Sequence, residues 1–550
     1  MTKNWKSIAE AKNAETKAKI PREWLIPLPP AEIRDVTGYA SQFLTPAEIA
    51  ITESTAHELV GKLAYGKYSS LEVTKAFCHR ATIAHQLTNC LMEIFFDKAF
   101  KRAQELDDYF HEYKKISGPL HGLPVSLKDS VRIEGEQTTI GYVGWIGKND
   151  TSESEALVTK ILRNAGAVFY VKTSVPSGLM SGETVNNIVG YTWNPKNRLL
   201  SSGGSSGGEG ALIAIRGSPM GVGSDLAGSI RIPAGATGIF GLKPSCGRLP
   251  YKNIAQSPNG QETVGGVVGP MTNSIADARL FVQTILEAEP WKHDPGVIEL
   301  KWRPLEEDET REHAKRGLSF AVMKHNGEIT PHPPILRALD IAAAKLRSQG
   351  HEVIEWTPPS HKIANSMLLE ALSADGGAHT RRNHALSGEQ VLPQIAASFS
   401  TTLGSLHEKS MTELWDLHVR KLTFQDAYQT YWNSTASLTK TGRPVDALIL
   451  PWAPSASYPP EKFCYLGYSG FVNLLDYTAS VVPVGVKVDK SIDRKAVGYE
   501  PVDALDKFVY ESYDPEVYHG APIGIQIVGR RLQEEKVLVI SEVVEAALKA

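Results

Sequence analysis

The chain has 550 residues and a formal net charge of −3, with 58 Lys and Arg against 61 Asp and Glu, which argues against nucleic acid or an anionic membrane as the main partner. It is 42% hydrophobic and 22% charged, the composition of an ordinary soluble globular protein. Four cysteines, Cys78, Cys90, Cys246 and Cys464, show no metal-ligand spacing, and so few in so long a chain point to reduced thiols in an intracellular, cytoplasmic setting.

Met1 to Lys19 alternates charges with alanines and reads as a solvated helix, without the apolar core of a signal peptide or a membrane anchor. Pro21 to Pro30 is proline-rich and wraps the surface. At Thr45-Pro46 an N-cap is followed by proline at the first helical position, with Glu48 as the acidic first turn. Leu59, Leu63, Leu71, Val73, Phe77 and Ile83 then recur at helical spacing, and Phe96–Phe110 continues the pattern as an outer helical layer. Leu123–Leu127 (LPVSL) reads as a short buried strand that delivers Lys128 to its end, where ligands of α/β sheets collect. Ala167–Val171 (AVFYV) is a near-continuous apolar strand, as in a sheet covered on both faces. Leu179–Glu183 follows as a loop.

The organising stretch is Ser201 to Pro250. GGSSGGEG reads as irregular, because glycine loses the most backbone freedom on ordering. ALIAI after it reads as a helix, with Ser205 and Ser206 placed to cap it. GSPMGVGSD allows a short buried strand, and LAGSIRIPAGATG reads as a second small-residue loop that contains Ser229. Two hydroxyl-bearing loops thus flank one hairpin of helix and strand, which can bring Ser205 and Ser229 together. Gly203, Ser205 and Gly207 also match G-x-S-x-G, but that nucleophile elbow needs a strand before it. Asn194–Leu200 (NPKNRLL) reads as a loop instead. From Trp291 to Lys440 the chain is less diagnostic. Leu318–Met323 and Glu352–Trp356 read as strands and Pro334–Gln349 as a helix. The histidines there (His293, His313, His325, His332, His351, His361, His379, His384, His407, His418) form no metal motif and read as surface residues. Gln533–Leu548 is a closing amphipathic helix.

Ser201–Pro250 closely resembles the glycine- and serine-rich block of the amidase signature family. Gly122–Asp129 (GLPVSLKD) resembles the family's lysine segment, and Val171–Pro176 (VKTSVP) the strand and turn after it. Asp446–Pro454, Tyr477–Gly485 and Pro522–Gly529 resemble its late core segments. Length and the Pro21–Pro27 opening (PREWLIP) are most similar to the fungal acetamidase or general amidase group. The resemblance implies an α/β fold with a large, mixed, twisted central sheet covered on both faces by helices. It implies one such domain over residues 44–550, after an N-terminal extension of residues 1–43, with a variable, substrate-shaping region at about 291–440.

Amide hydrolysis needs a nucleophile, a base, an acid for the leaving amine and donors for the oxyanion. The resemblance assigns Ser229 as nucleophile, Ser205 as a bridging hydroxyl and Lys128 as base, a Ser–cis-Ser–Lys triad with a cis Gly204–Ser205 peptide. A lysine must be neutral to act as base, which asks for a fall of about 3 units from its free value near ~10.4. The backbone N–H groups of Leu226, Ala227, Gly228 and Ser229 form the implied oxyanion hole. Ala227 stands where the family commonly has glycine, and a positive φ there would cost on the order of 1 kcal/mol. Asp225 and Arg231 pair to hold that loop, Ser206 supports the site, and Leu179 and Met180 contribute to the acyl-binding cavity. No metal or organic cofactor is implied. The expected partner is a small amide substrate such as acetamide, with no nucleic acid and no membrane, and a homodimer is compatible with the reading. Fatty-acid or indole-acetamide amides are alternative substrates. An amidotransferase A-type subunit, an esterase using Ser205 and an inactive binding homologue are the rival functions.

Overall fold

The computed structural model describes residues 4–397 and 407–550. Thirteen strands are formed: β1 (Leu91–Ile94), β2 (Pro124–Lys128), β3 (Val168–Thr173), β4 (Val185–Asn186), β5 (Gly190–Tyr191), β6 (Met220–Asp225), β7 (Phe240–Lys243), β8 (Val267–Thr272), β9 (Ser319–Val322), β10 (Glu352–Glu355), β11 (Ala447–Leu450), β12 (Ala479–Lys487) and β13 (Pro522–Val528). Eleven of them build one mixed sheet in the order β1-β3-β2-β6-β8-β7-β12-β13-β11-β9-β10, and β4 and β5 pair apart from it. β2 lies parallel to both neighbours, with Lys128 opposite Thr173 and Ser126 opposite Gly221. β6 runs antiparallel to β8 over its whole length.

The central strands are buried along their full lengths, which is why LPVSL and AVFYV show no alternation. Helices Ser70–Thr88, Ile275–Glu287, Pro333–Ser348 and Glu534–Lys549 supply apolar residues to the main core. The helix Pro46–Thr52 has the expected cap, a reciprocal box between Thr45 and Glu48. Among the described residues no helix is long and apolar enough to cross a membrane.

The structure departs from the sequence reading in four places. The N-terminal helix, Trp5–Ala18, is not wholly solvated: Ala9, Lys12 and Thr16 share one buried face. Lys12 pairs with Glu93 of the edge strand β1 at 2.7 Å, so a charged helix covers that edge. Met1–Lys3 lie outside the described residues. GGEG is helical, because the helix Gly207–Ala214 starts inside the glycine run. A second helix, Arg231–Thr237, takes up most of what reads as a loop after Ser229. His332, His361 and His384 are buried rather than at the surface. The His361 ring is packed on Phe471 and its Nε2 faces the Tyr428 hydroxyl at 3.2 Å, so aromatic neighbours take the place of water.

Candidate active site

Lys128 ends β2 and is fully buried. Its Nζ lies 2.8 Å from Ser205 Oγ, 2.9 Å from Ser224 Oγ and 3.2 Å from the Ser224 carbonyl. Burial strips water from the ammonium and lowers the pKa to about 7, against the opposing pull of the Asp225 and Glu209 carboxyls. A neutral lysine has two N–H groups and one lone pair, so one of its three contacts must donate to it. A hydroxyl can do so and a carbonyl cannot.

Ser205 follows Gly204 through a cis peptide bond. Ser206 is the N-cap residue of the helix Gly207–Ala214, but its side chain does not cap. Instead Ser206 Oγ donates to the Ser224 carbonyl at 3.3 Å and its N–H to the Ser229 carbonyl at 3.1 Å. These bonds tie the first hydroxyl-bearing loop to the second. Gly208 allows the close approach: a Cβ there would meet Ser174 N at 2.3 Å and the Ser174 and Cys90 carbonyls at 2.6 and 2.7 Å. Glu209, one residue on, accepts from Ser126 Oγ at 2.6 Å and Thr173 Oγ1 at 2.9 Å, and burial pushes its carboxyl up to about 7.

The second loop, residues 226–230, leaves the end of β6. Asp225 accepts from the N–H of Gly228 at 2.8 Å and of Ile230 at 3.1 Å, from Arg231 Nε and Nη2 at 3.0 Å each, and from Asn473 Nδ2 at 2.9 Å. Burial would raise this carboxyl, but the Arg231 charge and hydrogen bonds hold it far below its usual value. Arg231 also donates to the Ser469 carbonyl at 2.8 Å and Gln526 Oε1 at 2.6 Å. The pair is thus wholly buried and fully bonded, not a solvated ion pair. Gly228 has a φ of +127°, and a Cβ would stand 2.4 Å from Ser469 Oγ. Ala227 does not have positive φ, so its methyl group causes no backbone strain. The Gly228 N–H, expected in the oxyanion hole, is committed to Asp225. The N–H groups of Leu226, Ala227 and Ser229 meet no acceptor among the described residues.

Ser229 is half-buried and lines a cavity of about 50 Å³ together with Gly204, Leu226, Ala227, Leu179 and Met180. Of the residues singled out in the sequence, Ser229, Leu226, Ala227, Leu179 and Met180 line this cavity, while Lys128, Ser205, Ser206, Asp225 and Arg231 stand behind its wall. No direct bond joins Ser205 to Ser229; the two are linked through their neighbours, by the Ser206–Ser229 backbone bond and by Gly204, which lines the same cavity as Ser229. The sequence reading missed Ser224, Ser469, Asn473 and Gln526, and also Leu372, Phe463 and Leu466 of the cavity wall. Only Ser224 had a nearby signal, as the neighbour of Asp225 at the strand end. Among the described residues no group of three or more His, Cys, Asp or Glu side chains is placed to hold a metal ion.

A model of the Amidase family matches residues 72–538. The chain belongs to the Amidase family. It is 46% identical over 544 residues to an acetamidase of Emericella nidulans, covering 98% of each chain. An acetamidase of Aspergillus oryzae is similar to the same degree, 46% over 544 residues and 98% of each chain. Among solved structures, a fatty acid amide hydrolase superposes with a TM-score of 0.93 at 35% identity, over 100% of this chain and 96% of that one. The large mixed sheet is the amidase signature fold, and the chain is an amide-hydrolysing enzyme.

Proposed function

We propose that the enzyme hydrolyses small carboxylic amides to the acid and ammonia or an amine through an acyl-enzyme on Ser229. The observation that carries this reading is the buried Lys128 amine, with a pKa near 7, 2.8 Å from Ser205 Oγ and behind a cavity lined by Ser229. Ser229 Oγ attacks the amide carbon and its proton passes through the Ser205 hydroxyl to Lys128. The carbonyl oxygen takes the negative charge and is held by the N–H groups of Leu226, Ala227 and Ser229. The C–N bond then breaks as Lys128 returns the proton, through Ser205, to the leaving nitrogen. Water attacks the acyl-enzyme by the same route and frees Ser229.

Two findings favour a short acyl group. The cavity of about 50 Å³ is small beside the ~300–1,000 Å³ of pockets that take drug-sized ligands, which suits a short acyl group better than a long one. Two similar relatives are acetamidases. The sparse cysteine use supports a cytoplasmic place of work.

The test is intact mass after incubation with a fluorophosphonate, for wild type, Ser229→Ala and Lys128→Ala. One adduct is expected on wild type, none on Ser229→Ala, and slow formation on Lys128→Ala. An adduct that persists in Ser229→Ala places the nucleophile elsewhere, and one formed at full rate in Lys128→Ala removes the base from the scheme.

A further inference from the structure

Glu183 is a buried carboxyl that the mechanism above does not use, and among the described residues no cation pairs with it. It lies just after the cavity-lining segment Ser181-Gly182. Its Oε1 accepts the backbone N–H of Phe463 at 2.9 Å. Its Oε2 accepts the N–H of Glu461 at 3.0 Å and the Tyr191 hydroxyl at 2.7 Å. Both carboxylate oxygens therefore serve to hold one distant turn.

That turn needs holding. Residues 460–462 are exposed, and Glu461 has a φ of +67°, the left-handed region that a side chain disfavours. Phe463 turns inward from it into the cavity wall. Its ring packs against Gly182, where a Cβ would stand 2.2 Å from Cε2, and its centroid lies 5.1 Å from that of Tyr458, edge to face. The other side of the same segment presses on Gly204, whose added Cβ would meet the Ser181 carbonyl at 2.6 Å. One short piece of chain thus carries the Phe463 ring on one side and the Gly204–Ser205 backbone on the other.

We propose that Glu183 is a positioning residue for acyl-group selection: it pins the 461–463 turn so that Phe463 closes the acyl cavity to all but short chains. This rests on the amidase reading and on Ser229 as its nucleophile. Glu183 touches no reacting atom; it acts through Phe463. An uncharged acceptor does not replace it. A glutamine has one oxygen, so its NH₂ would face the N–H of Glu461 or Phe463 and release one end of the turn.

The experiment measures kcat and KM for acetamide, butanamide and hexanamide with wild type, Phe463→Ala, Phe463→Leu and Glu183→Gln, alongside thermal midpoints. Wild type should fall in kcat/KM with each lengthening of the chain. In Phe463→Ala the hexanamide-to-acetamide ratio of kcat/KM should rise roughly tenfold or more, since a methylene in an apolar pocket is worth about that much. The gain should come through a lower KM for hexanamide. Phe463→Leu serves if the alanine variant does not fold, and Glu183→Gln should move the ratio the same way by less. A ratio unchanged in Phe463→Leu, or a Glu183→Gln variant that loses all three amides equally, overturns the proposal. A wild type with no fluorophosphonate adduct on Ser229 overturns the functional reading beneath it, and that result is seen before any chain-length series is run.

Discussion

At the scale of single residues, a lysine amine with a pKa near 7 accepts a proton only after losing its own, so on the proposed mechanism the acid limb of kcat/KM should follow Lys128. Above pH 7 the neutral base predominates and the rate levels off. Below it, kcat/KM should fall about tenfold per pH unit as the ammonium takes over. A pH–rate profile between pH 5 and 9 with a substrate that does not titrate there checks this, and a rate flat through pH 6 would free Lys128 of the role. The lysine is legible in the sequence because it ends a short apolar strand. Its depressed pKa is not legible, since it depends on burial by β3, β6 and the helix Gly207–Ala214, which come from distant parts of the chain. Ala227 teaches the converse. The sequence shows alanine where glycine is common and raises the question of strain. Only the backbone shows that the left-handed turn falls on Gly228 instead, where Ser469 leaves no room for a methyl group.

Elements carry their own surprise in the glycine run. Glycine disfavours a helix by roughly 1 kcal/mol per residue, so GGEG reads as loop on propensity alone. The helix forms there because its first turn must lie against the backbone of Ser174 and Cys90, which only a residue without Cβ permits at Gly208. Propensity is overridden by a packing need that no local pattern records. Gly208→Ala should destabilise the protein by about 1–3 kcal/mol or more through overpacking against fixed backbone. Gly210→Ala should cost clearly less, because its nearest atoms, Thr237 Oγ1, Pro233 Cβ and the Pro233 carbonyl, lie at 3.1–3.2 Å rather than 2.3–2.7 Å. Thermal midpoints of the two variants check it, and equal midpoints would mean that the helix can lift off the strand end. Where the sequence has strong period or punctuation it reads well, as at Thr45-Pro46, LPVSL and AVFYV. It reads poorly at Arg231–Thr237, where Pro233 and Gly235 suggest a loop but Arg231 is anchored by Asp225, Asn473 and Gln526. Three of the ten histidines of residues 291–440, His332, His361 and His384, departed from the surface reading for the same reason: burial of His361 depends on Tyr428 and Phe471, from two other helices.

The whole molecule is closed by contacts that join the middle of the chain to its end. Gln526 of β13 receives Arg231, so the loop bearing Ser229 is braced by a strand nearly three hundred residues later. Beyond that strand the helix Glu534–Lys549 packs on β12, and its first two residues hold Arg248, which follows β7. Arg248 Nη2 donates to Glu535 Oε1 at 2.6 Å, and Nε lies 3.2 Å from Glu534 Oε2, with all three side chains fully buried. Arg303 reaches Glu535 as well, at 2.7 Å, so that carboxylate has a second cation and Glu534 has none besides Arg248 among the described residues. Removing Arg248 therefore strands one buried charge rather than two. Arg248→Met should cost about 3–5 kcal/mol, the usual penalty for leaving half of a buried pair. Adding Glu534→Leu to that variant should recover part of the loss, because the unpaired charge goes with it. High salt should barely change the wild-type midpoint through this cluster, whereas an exposed pair such as Lys315–Glu312 is screened. Urea midpoints for wild type, the single variant and the double variant decide the matter. If the double variant is no better than the single one, the loss comes from the other bonds of the two side chains: the Leu300 and Lys301 carbonyls that Arg248 serves, and the Ser245 N–H and Thr478 hydroxyl that Glu534 accepts at 2.8 Å each.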